Sequence, residues 1–267
     1  MPPGRWKHFC LIVALLSSCA RPKAAAVPAP ITPTTRVEPS PATVTPPIPE
    51  PSETLSPFTP TITPSPTPAF QICSPLGMHP LSELSLIISD PYKPPPPNRP
   101  EERHHGVDFS YWHFGERDSM QGEPVQAILP GVVAAVLNDR YPYGNMLLIE
   151  TARDDFPAAM IARLRIPERE SVYHLYAHLL NPPNFAIGDK VEICQPLGEV
   201  GESGNTDIPH LHLETRLGPA GQVFESMLFY STRATQEEME NYVLWRTSGV
   251  FRHFDPMLLL GTENSGD

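Results

Sequence analysis

Two histidines, His210 and His212, stand two positions apart near the end of the segment GESGNTDIPHLHLE, residues 201–214. Alternate side chains of a β-strand point to the same face, so both imidazoles are predicted to face one site, with their Cα atoms about 6.6 Å apart. Two imidazoles directed at one cleft indicate a metal site. The alternative is a pair of surface histidines on a half-buried strand, and further ligands elsewhere in the chain would decide between them.

The segment HHGVDF, residues 104–109, is the second candidate for metal binding. His104 and Asp108 share one face of an extended chain but would lie about 13 Å apart at Cα. Their side chains can converge on a metal only if the backbone curls between them, which Gly106 permits. Together with His212 they would supply two imidazoles and one carboxylate. That set suits Zn²⁺ and leaves one coordination position for water, as in catalytic sites.

Three motifs occur in the order found in lysostaphin/LytM-type zinc metallopeptidases, and the chain resembles that family over residues 101–216. The motifs are HHGVDF, YAHL at residues 176–179, and GESGNTDIPHLHLE. Each motif is weak by itself, but three in the right order form a specific signal. The resemblance implies a β-sheet catalytic domain, a zinc cofactor, and peptidoglycan stem or bridge peptides as the substrate.

The resemblance also implies roles for five side chains. Three are implied as zinc ligands: His104, Asp108 and His212. Two are implied as catalytic histidines that accept or donate protons: His178 and His210. Their division of labour stays open.

Short apolar segments separated by turns indicate a mainly β fold, an antiparallel sheet with small helical insertions. The predicted strands are residues 124–136, 145–151 and 171–179, with a hairpin-like stretch at 189–200. One helix is predicted over residues 235–245, where Thr235 and Glu238 form a capping box. Met239, Tyr242 and Val243 would share one side of that helix. We expect this helix and residues 153–170 at the edge of the sheet.

Several side chains near the predicted site have two interpretations. His174 shares a strand face with His178, so it would either line the cleft or be a structural histidine. Tyr143 and Asn145 would either border the site or shape a turn. Two stretches outside the shared motifs are predicted to wall the groove: residues 153–170 and 220–252.

The start of the chain is typical of an export signal. Residues 1–18 carry basic side chains followed by a short apolar stretch, well below the roughly 20 residues of a membrane-spanning helix. The segment LSSC at residues 16–19 resembles the lipobox of bacterial lipoproteins, which implies a lipid on Cys19 and attachment to a membrane. The alternative is an ordinary signal cleaved near residues 24–26.

Composition divides the remaining chain into a tether and a domain. Residues 19–70 are rich in Pro, Thr, Ser and Ala, which predicts a disordered tether, and residues 71–267 are long enough for one metallopeptidase domain. Outside the signal and the predicted lipid site, two cysteines remain, Cys73 and Cys194. They would form a disulfide in an oxidising compartment, or remain two buried thiols.

The balance of charges argues against nucleic acid as a partner. The formal net charge is −11, and the 19 Lys and Arg residues are scattered along the chain. The motifs and the family resemblance together imply a zinc endopeptidase, and the start of the chain predicts that it is exported, anchored to a membrane and facing the cell wall or periplasm. The alternative is a non-catalytic regulator of another wall hydrolase.

Overall fold

The central feature of the fold is an antiparallel β-sheet of eight strands. A computed structural model describes residues 70–261. The predicted signal, the predicted lipid site Cys19 and the predicted tether up to residue 69 lie outside these residues. Along the chain, the strands are β1 (Ile88–Asp90), β2 (Gly106–Phe109), β3 (Pro124–Gln126), β4 (Gly131–Arg140), β5 (Gly144–Thr151), β6 (Glu170–Ala177), β7 (Lys190–Val191), β8 (Pro196–Glu199), β9 (Leu211–Pro219) and β10 (Arg252–Phe254).

Strand β9 pairs with three other strands, β2, β6 and β10. The strand order is β1-β2-β9-β6-β5-β4-β7, and β10 pairs with the second half of β9 beside β2. The strands β3 and β8 form a separate two-stranded sheet. Every pairing is antiparallel, which confirms the predicted fold class. The strands β2, β9 and β6, which contain parts of the three sequence motifs, are neighbours in the sheet. The sheet therefore brings together motifs that are far apart in sequence.

The helices are short and few. There are 3-10 helices at Leu81–Leu86 and Arg153–Asp155, and α-helices α1 (Ala158–Leu164), α2 (Gln236–Arg246) and α3 (Met257–Leu260). Among the residues described here, no helix combines the length and apolar character needed to cross a membrane.

Both faces of the sheet are buried, so its central strands are apolar on both sides. On β5, Leu147 and Ile149 join one core, while Leu148 joins the other, in keeping with the two-residue period of a strand. The second core is closed by side chains that follow β9, including Phe224, Trp245 and Phe251.

Helix α2 covers the second face of the sheet, and the prediction that it lies at the edge is wrong. Its capping box is present as predicted, with Thr235 accepting from the Glu238 backbone and Glu238 accepting from the Thr235 backbone. The buried side is formed by Glu238, Tyr242 and Trp245, whereas Val243 is exposed. Periodicity alone did not identify this side because the helix is only weakly amphipathic.

Two strand predictions are corrected. The predicted strand at 124–136 is broken into β3 and β4, which belong to different sheets. Pro130 has no N–H to donate to a ladder, and the chain passes from one sheet to the other just before Gly131. The predicted hairpin at 189–200 is also wrong, because β7 pairs with β4 and β8 pairs with β3.

The predicted disulfide is present. Cys73 is bonded to Cys194, with the two Cα atoms 5.5 Å apart and a sequence separation of 121. Cys194 lies in the turn between β7 and β8, in the left-handed conformation with φ 59°. The bond therefore ties the start of the described chain to the turn that sends these two strands to different sheets.

Candidate metal centre and active site

Three donor atoms from His104, Asp108 and His212 converge at one point of the sheet. Asp108 on β2 is the direct cross-strand partner of His212 on β9, and His104 precedes β2. Asp108 Oδ1 lies 3.0 Å from His104 Nε2 and 2.7 Å from His212 Nδ1. The two nitrogens, His104 Nε2 and His212 Nδ1, are 3.1 Å apart. These separations approach the edge of about 3.3 Å expected for a tetrahedral site with bonds of about 2.0–2.1 Å, so the three side chains fit a metal ion.

Gly106 permits this convergence for a different reason from the one predicted. It already belongs to β2, so the backbone leaves the extended form before it, where Arg103 has φ 65°. A Cβ at Gly106 would lie 2.4 Å from the Leu213 carbonyl oxygen and 3.0 Å from His212 Cε1. The glycine therefore allows β2 to approach β9 closely, which brings Asp108 to His212.

The outer nitrogen of each candidate ligand imidazole, in His104 and in His212, donates a hydrogen bond to an acceptor. His104 Nδ1 donates to the Pro91 carbonyl at 3.0 Å, which leaves Nε2 without a proton and directed at the centre. His212 Nε2 donates to Glu214 Oε1 at 3.1 Å, which leaves Nδ1 directed at the centre. Such partners fix the tautomer and orientation of metal-binding imidazoles.

Glu214 was missed by sequence reasoning. It is fully buried, and it accepts hydrogen bonds from the Tyr143 hydroxyl at 2.9 Å and from Arg216 Nε and Nη2 at 2.9 and 2.7 Å. The available signal was its position two residues after His212, which places both side chains on the same face of β9.

The electrostatics of the centre favour a cation. Burial acts to raise the pKa of Asp108, but hydrogen bonds to His104 and His212 outweigh it and hold that pKa well below its usual range. Burial acts to lower the pKa of His212, but hydrogen bonds to Asp108 and Glu214 outweigh it and raise that pKa to about 9. Two carboxylates flank one imidazole, so positive charge is stabilised where the donors meet.

His178 and His210 form a second pair of imidazoles beside the donors, with ring centroids 4.5 Å apart. His178 Nδ1 donates to the Ser203 carbonyl at 2.7 Å, and His210 Nδ1 donates to the Ile208 carbonyl at 3.0 Å. Carbonyls only accept, so each ring carries its proton on Nδ1 and keeps a lone pair on Nε2. His210 Nε2 lies 3.6 Å from Asp108 Oδ1, next to the three donors.

Both of these imidazoles are kept neutral at pH 7. Burial, to which the charge of the neighbouring His212 adds, lowers the pKa of His178 to about 3. Burial also lowers the pKa of His210.

His178 lies just beyond β6 and adopts the left-handed conformation with φ 62°. The strand predicted over residues 171–179 therefore ends at Ala177, one residue before His178.

A cavity of about 660 Å³ opens over these five side chains. Its walls include Tyr143, Ile208 and, from the C-terminal part of the chain, Phe229, Tyr242 and Arg246. Of the two stretches predicted to wall the groove, 220–252 does so, whereas residues 153–170 contribute no lining side chain. The latter stretch connects β5 to β6 away from the cavity.

The structure decides between the two interpretations of Tyr143, Asn145 and His174. Tyr143 lines the cavity. Asn145 is structural, because its Oδ1 accepts from the Asp139 backbone at 3.0 Å and its Nδ2 donates to the Leu179 carbonyl at 3.1 Å. His174 is structural as well, since it is fully buried and bonded to Thr151 and Tyr176 rather than lining the cavity.

Part of the chain matches a known protein family. Residues 102–224 match the family described as Peptidase family M23. No curated protein matches the chain.

The chain is also similar to several solved structures, of which three are described. A variant of the catalytic domain of the prophage-encoded M23 protein EnpA from Enterococcus faecalis is 25% identical, covering 52% of this chain and 87% of that one, with a TM-score of 0.36. The catalytic domain of lysostaphin from Staphylococcus simulans is 25% identical over 52% and 86%, with a TM-score of 0.36. A zinc containing peptidase from Vibrio cholerae is 22% identical over 49% and 33%, with a TM-score of 0.34.

Proposed function

We propose that this chain, which carries a domain of peptidase family M23 over residues 102–224, is a zinc endopeptidase that hydrolyses peptide cross-links of peptidoglycan. One observation carries the proposal. Three metal-type donors with separations of 2.7–3.1 Å stand beside two neutral imidazoles under one open cavity. This is the set of groups that metal-assisted amide hydrolysis requires.

In this proposal, His104, Asp108 and His212 hold zinc. Two imidazoles and one carboxylate match the donor set of catalytic zinc sites, which keep a position open for water. When bound, zinc lowers the pKa of its water toward about 7 and polarises the scissile carbonyl. Glu214 and the Pro91 carbonyl hold the two imidazoles in the tautomers that such binding needs.

His178 and His210 handle protons in the same proposal. Each presents an unprotonated Nε2, because its Nδ1 is committed to a backbone carbonyl. A neutral imidazole can accept the proton of the attacking water, and the resulting imidazolium can stabilise the oxyanion or donate to the leaving amine. The two rings are adjacent, so one can act on the water and the other on the leaving group.

The proposal is tested on the purified full-length protein with cross-linked peptidoglycan. We expect release of peptide fragments that stops on chelation and returns with zinc. His210→Ala should reduce this rate by about 10²–10⁴-fold with its zinc retained. His113→Ala, at an exposed histidine, serves as the matched control and should leave the rate unchanged. Hydrolysis that persists without metal, or in His210→Ala, would contradict the mechanism.

The same preparation separates the enzyme from the alternative, a non-catalytic regulator of another wall hydrolase. A regulator that has lost its metal site would contain no stoichiometric zinc and would release no fragments by itself. The presence of all five side chains in one cluster favours the enzyme.

For localisation, we propose an exported lipoprotein that faces the cell wall or periplasm. The support is the signal-like residues 1–18 followed by Cys19. Cells fed a labelled fatty acid should incorporate the label into the wild-type protein and not into Cys19→Ser. Equal labelling of both proteins would contradict the assignment of Cys19.

A further inference from the structure

Arg246 brings a positive charge into the cavity from outside the M23-matched residues. It is the last residue of α2, beyond the match that ends at residue 224, and its side chain lines the same cavity as the three candidate metal donors. Among the described residues that form the lining, no other is Lys or Arg. The C-terminal segment therefore gives the cavity a cation that the matched domain does not supply.

The guanidinium of Arg246 lies close to the catalytic groups. Its Nη1 donates to Glu214 Oε1 at 3.3 Å, and the same oxygen accepts from His212 Nε2 at 3.1 Å. Arg246 and the proposed metal ligand His212 thus donate to the same carboxylate oxygen. A substrate group bound by Arg246 would lie near the scissile amide.

The charge of Arg246 is not neutralised by this contact. Glu214 is already paired with Arg216, which donates two hydrogen bonds to Oε2 at 2.9 and 2.7 Å. One buried carboxylate therefore faces two guanidinium groups. The bond to Glu214 uses one of the five N–H donors of the Arg246 guanidinium.

The position of Arg246 is fixed by packing. Its neighbour Trp245 is fully buried, stacks under the Arg216 guanidinium at 4.7 Å from the ring centroid, and accepts from Arg216 Nη1 through its carbonyl at 2.7 Å. The start of α2 is fixed by the capping box. A side chain held in this way can recognise an anion with little loss of conformational freedom.

We propose that Arg246 binds a carboxylate of the substrate peptide next to the scissile amide, so that the enzyme selects cross-links bearing an acidic group over uncharged peptides. Arg donors bind carboxylates strongly and directionally, often through two parallel hydrogen bonds. Asp90 and Glu101, which also line the cavity, repel a carboxylate and so favour its placement at Arg246. This inference rests on the proposed peptidase function and names its substrate class.

The test compares two synthetic cross-linked peptides that differ at one group, a glutamate or a glutamine next to the scissile amide. The zinc-loaded wild type should show a kcat/KM at least about tenfold higher for the glutamate peptide. Arg246→Gln keeps an N–H donor for Glu214 and removes the charge. In this variant the ratio should fall to near one, chiefly through a higher KM for the glutamate peptide.

The matched control is Arg233→Gln, which removes the same charge from an exposed position in the same segment and should keep the wild-type ratio. An equal kcat/KM for both peptides in the wild type would overturn the proposal, as would an unchanged preference in Arg246→Gln. Loss of zinc, or an equal loss with both peptides, would also overturn it, because Arg246 would then act through Glu214 and His212.

Failure of the peptidase function itself is recognised separately. If the wild type cleaves neither peptide, binding of the same two peptides to the zinc-loaded protein is measured by calorimetry. Tighter binding of the glutamate peptide by the wild type but not by Arg246→Gln supports the carboxylate site without hydrolysis. Equal binding of the two peptides overturns it.

Discussion

Glu214 Oε1 accepts a hydrogen bond from His212 Nε2 at 3.1 Å in the fully buried interior beside the metal donors. The two side chains lie on the same face of β9 because they are two residues apart. The contact leaves His212 Nδ1 as the nitrogen that meets Asp108 Oδ1 at 2.7 Å. Glu214 therefore links the candidate metal centre to the buried Arg216 and to Arg246, which lines the cavity.

Replacing this carboxylate should weaken the metal site. Glu214→Gln keeps an acceptor oxygen for His212 but loses the negative charge that stabilises a cation, so we expect zinc affinity to fall about 10–100-fold. Competition with a zinc chelator measures this change, and near-ultraviolet circular dichroism confirms that the variant is folded. Glu168→Gln, at an exposed glutamate, should keep wild-type affinity. An unaltered affinity in Glu214→Gln would show that the charge does not support the site.

The contact between Gly144 and Ser203 positions His178, one of the two proposed catalytic histidines. Gly144 has φ 70°, and a Cβ there would lie 2.4 Å from the Ser203 carbonyl carbon and 2.5 Å from its oxygen. That oxygen accepts from His178 Nδ1. Gly144→Ala should therefore displace Ser203 and His178 and lower kcat by about 10²-fold or more. Zinc binding should persist, since the donors lie on and beside β2 and β9.

Gly122→Ala is the matched control for Gly144→Ala. Gly122 has φ 78°, so alanine meets the same backbone strain, but nothing lies within 4 Å of its Cβ position. Both variants should lose about 1 kcal/mol of stability from that strain. If kcat with the cross-linked peptide fell equally in both, the contact with Ser203 would not be the cause.

The five central side chains were united by the family resemblance, whereas spacing along the chain predicted only the relationships within each motif. His210 and His212 are related by the two-residue period of a strand, and His104 lies a short turn away from Asp108. The capping box of α2 was visible for the same reason, since Thr235 and Glu238 are only three residues apart. Relationships within one motif need no knowledge of the tertiary fold, but the meeting of the three motifs depends on the pairing of β2, β9 and β6.

The partners of Glu214 could not be anticipated, because they come from distant parts of the chain. Tyr143 precedes it by 71 residues and Arg246 follows it by 32. The prediction of a hairpin at 189–200 was wrong for the same reason, because the pairing of β7 with β4 and of β8 with β3 is decided by non-local contacts. Alternation of apolar residues identifies a strand but not its neighbour.

The disulfide between Cys73 and Cys194 should contribute mainly to stability. It closes a loop of 121 residues, and crosslinks of this kind typically stabilise a fold by about 2–5 kcal/mol by restricting the unfolded chain. We expect the double variant Cys73→Ala, Cys194→Ala to lose that amount in urea unfolding. Neither cysteine lines the cavity, so hydrolysis under native conditions should persist.

Wild-type protein treated with a reductant provides the comparison for the double variant. Its unfolding free energy should fall to that of the double variant, while the double variant should not respond to reductant. Unfolding curves of oxidised and reduced wild type that superimpose would show that the bond adds no stability.

His174 should make the stability of the domain depend on pH. It is fully buried, its Nε2 donates to Thr151 Oγ1 at 3.0 Å, and its Nδ1 accepts from the Tyr176 hydroxyl at 2.9 Å. Both ring nitrogens are thus satisfied in the neutral form. Burial lowers the pKa of His174 from its ordinary value of 6.5 to about 3.

The sign of the effect follows from which state binds the proton. As the pH falls below about 6.5, the unfolded chain protonates this imidazole while the folded protein does not until the pH approaches 3. Stability is therefore full above pH 6.5 and declines between pH 6.5 and 3. The contribution of His174 to this loss should reach about 2 kcal/mol at pH 5.

Urea unfolding of wild type and His174→Gln at pH 7.5 and pH 5 isolates this contribution. Glutamine does not titrate, so the loss of unfolding free energy between the two pH values should be smaller by about 2 kcal/mol in the variant. His113→Gln, at an exposed histidine, should lose as much as the wild type. His105 and His253, whose pKa values burial lowers to about 3 and 4, remain in all three proteins and cancel in the comparison. An identical loss in wild type and His174→Gln would mean that the unfolded chain gains no proton at this residue relative to the folded one.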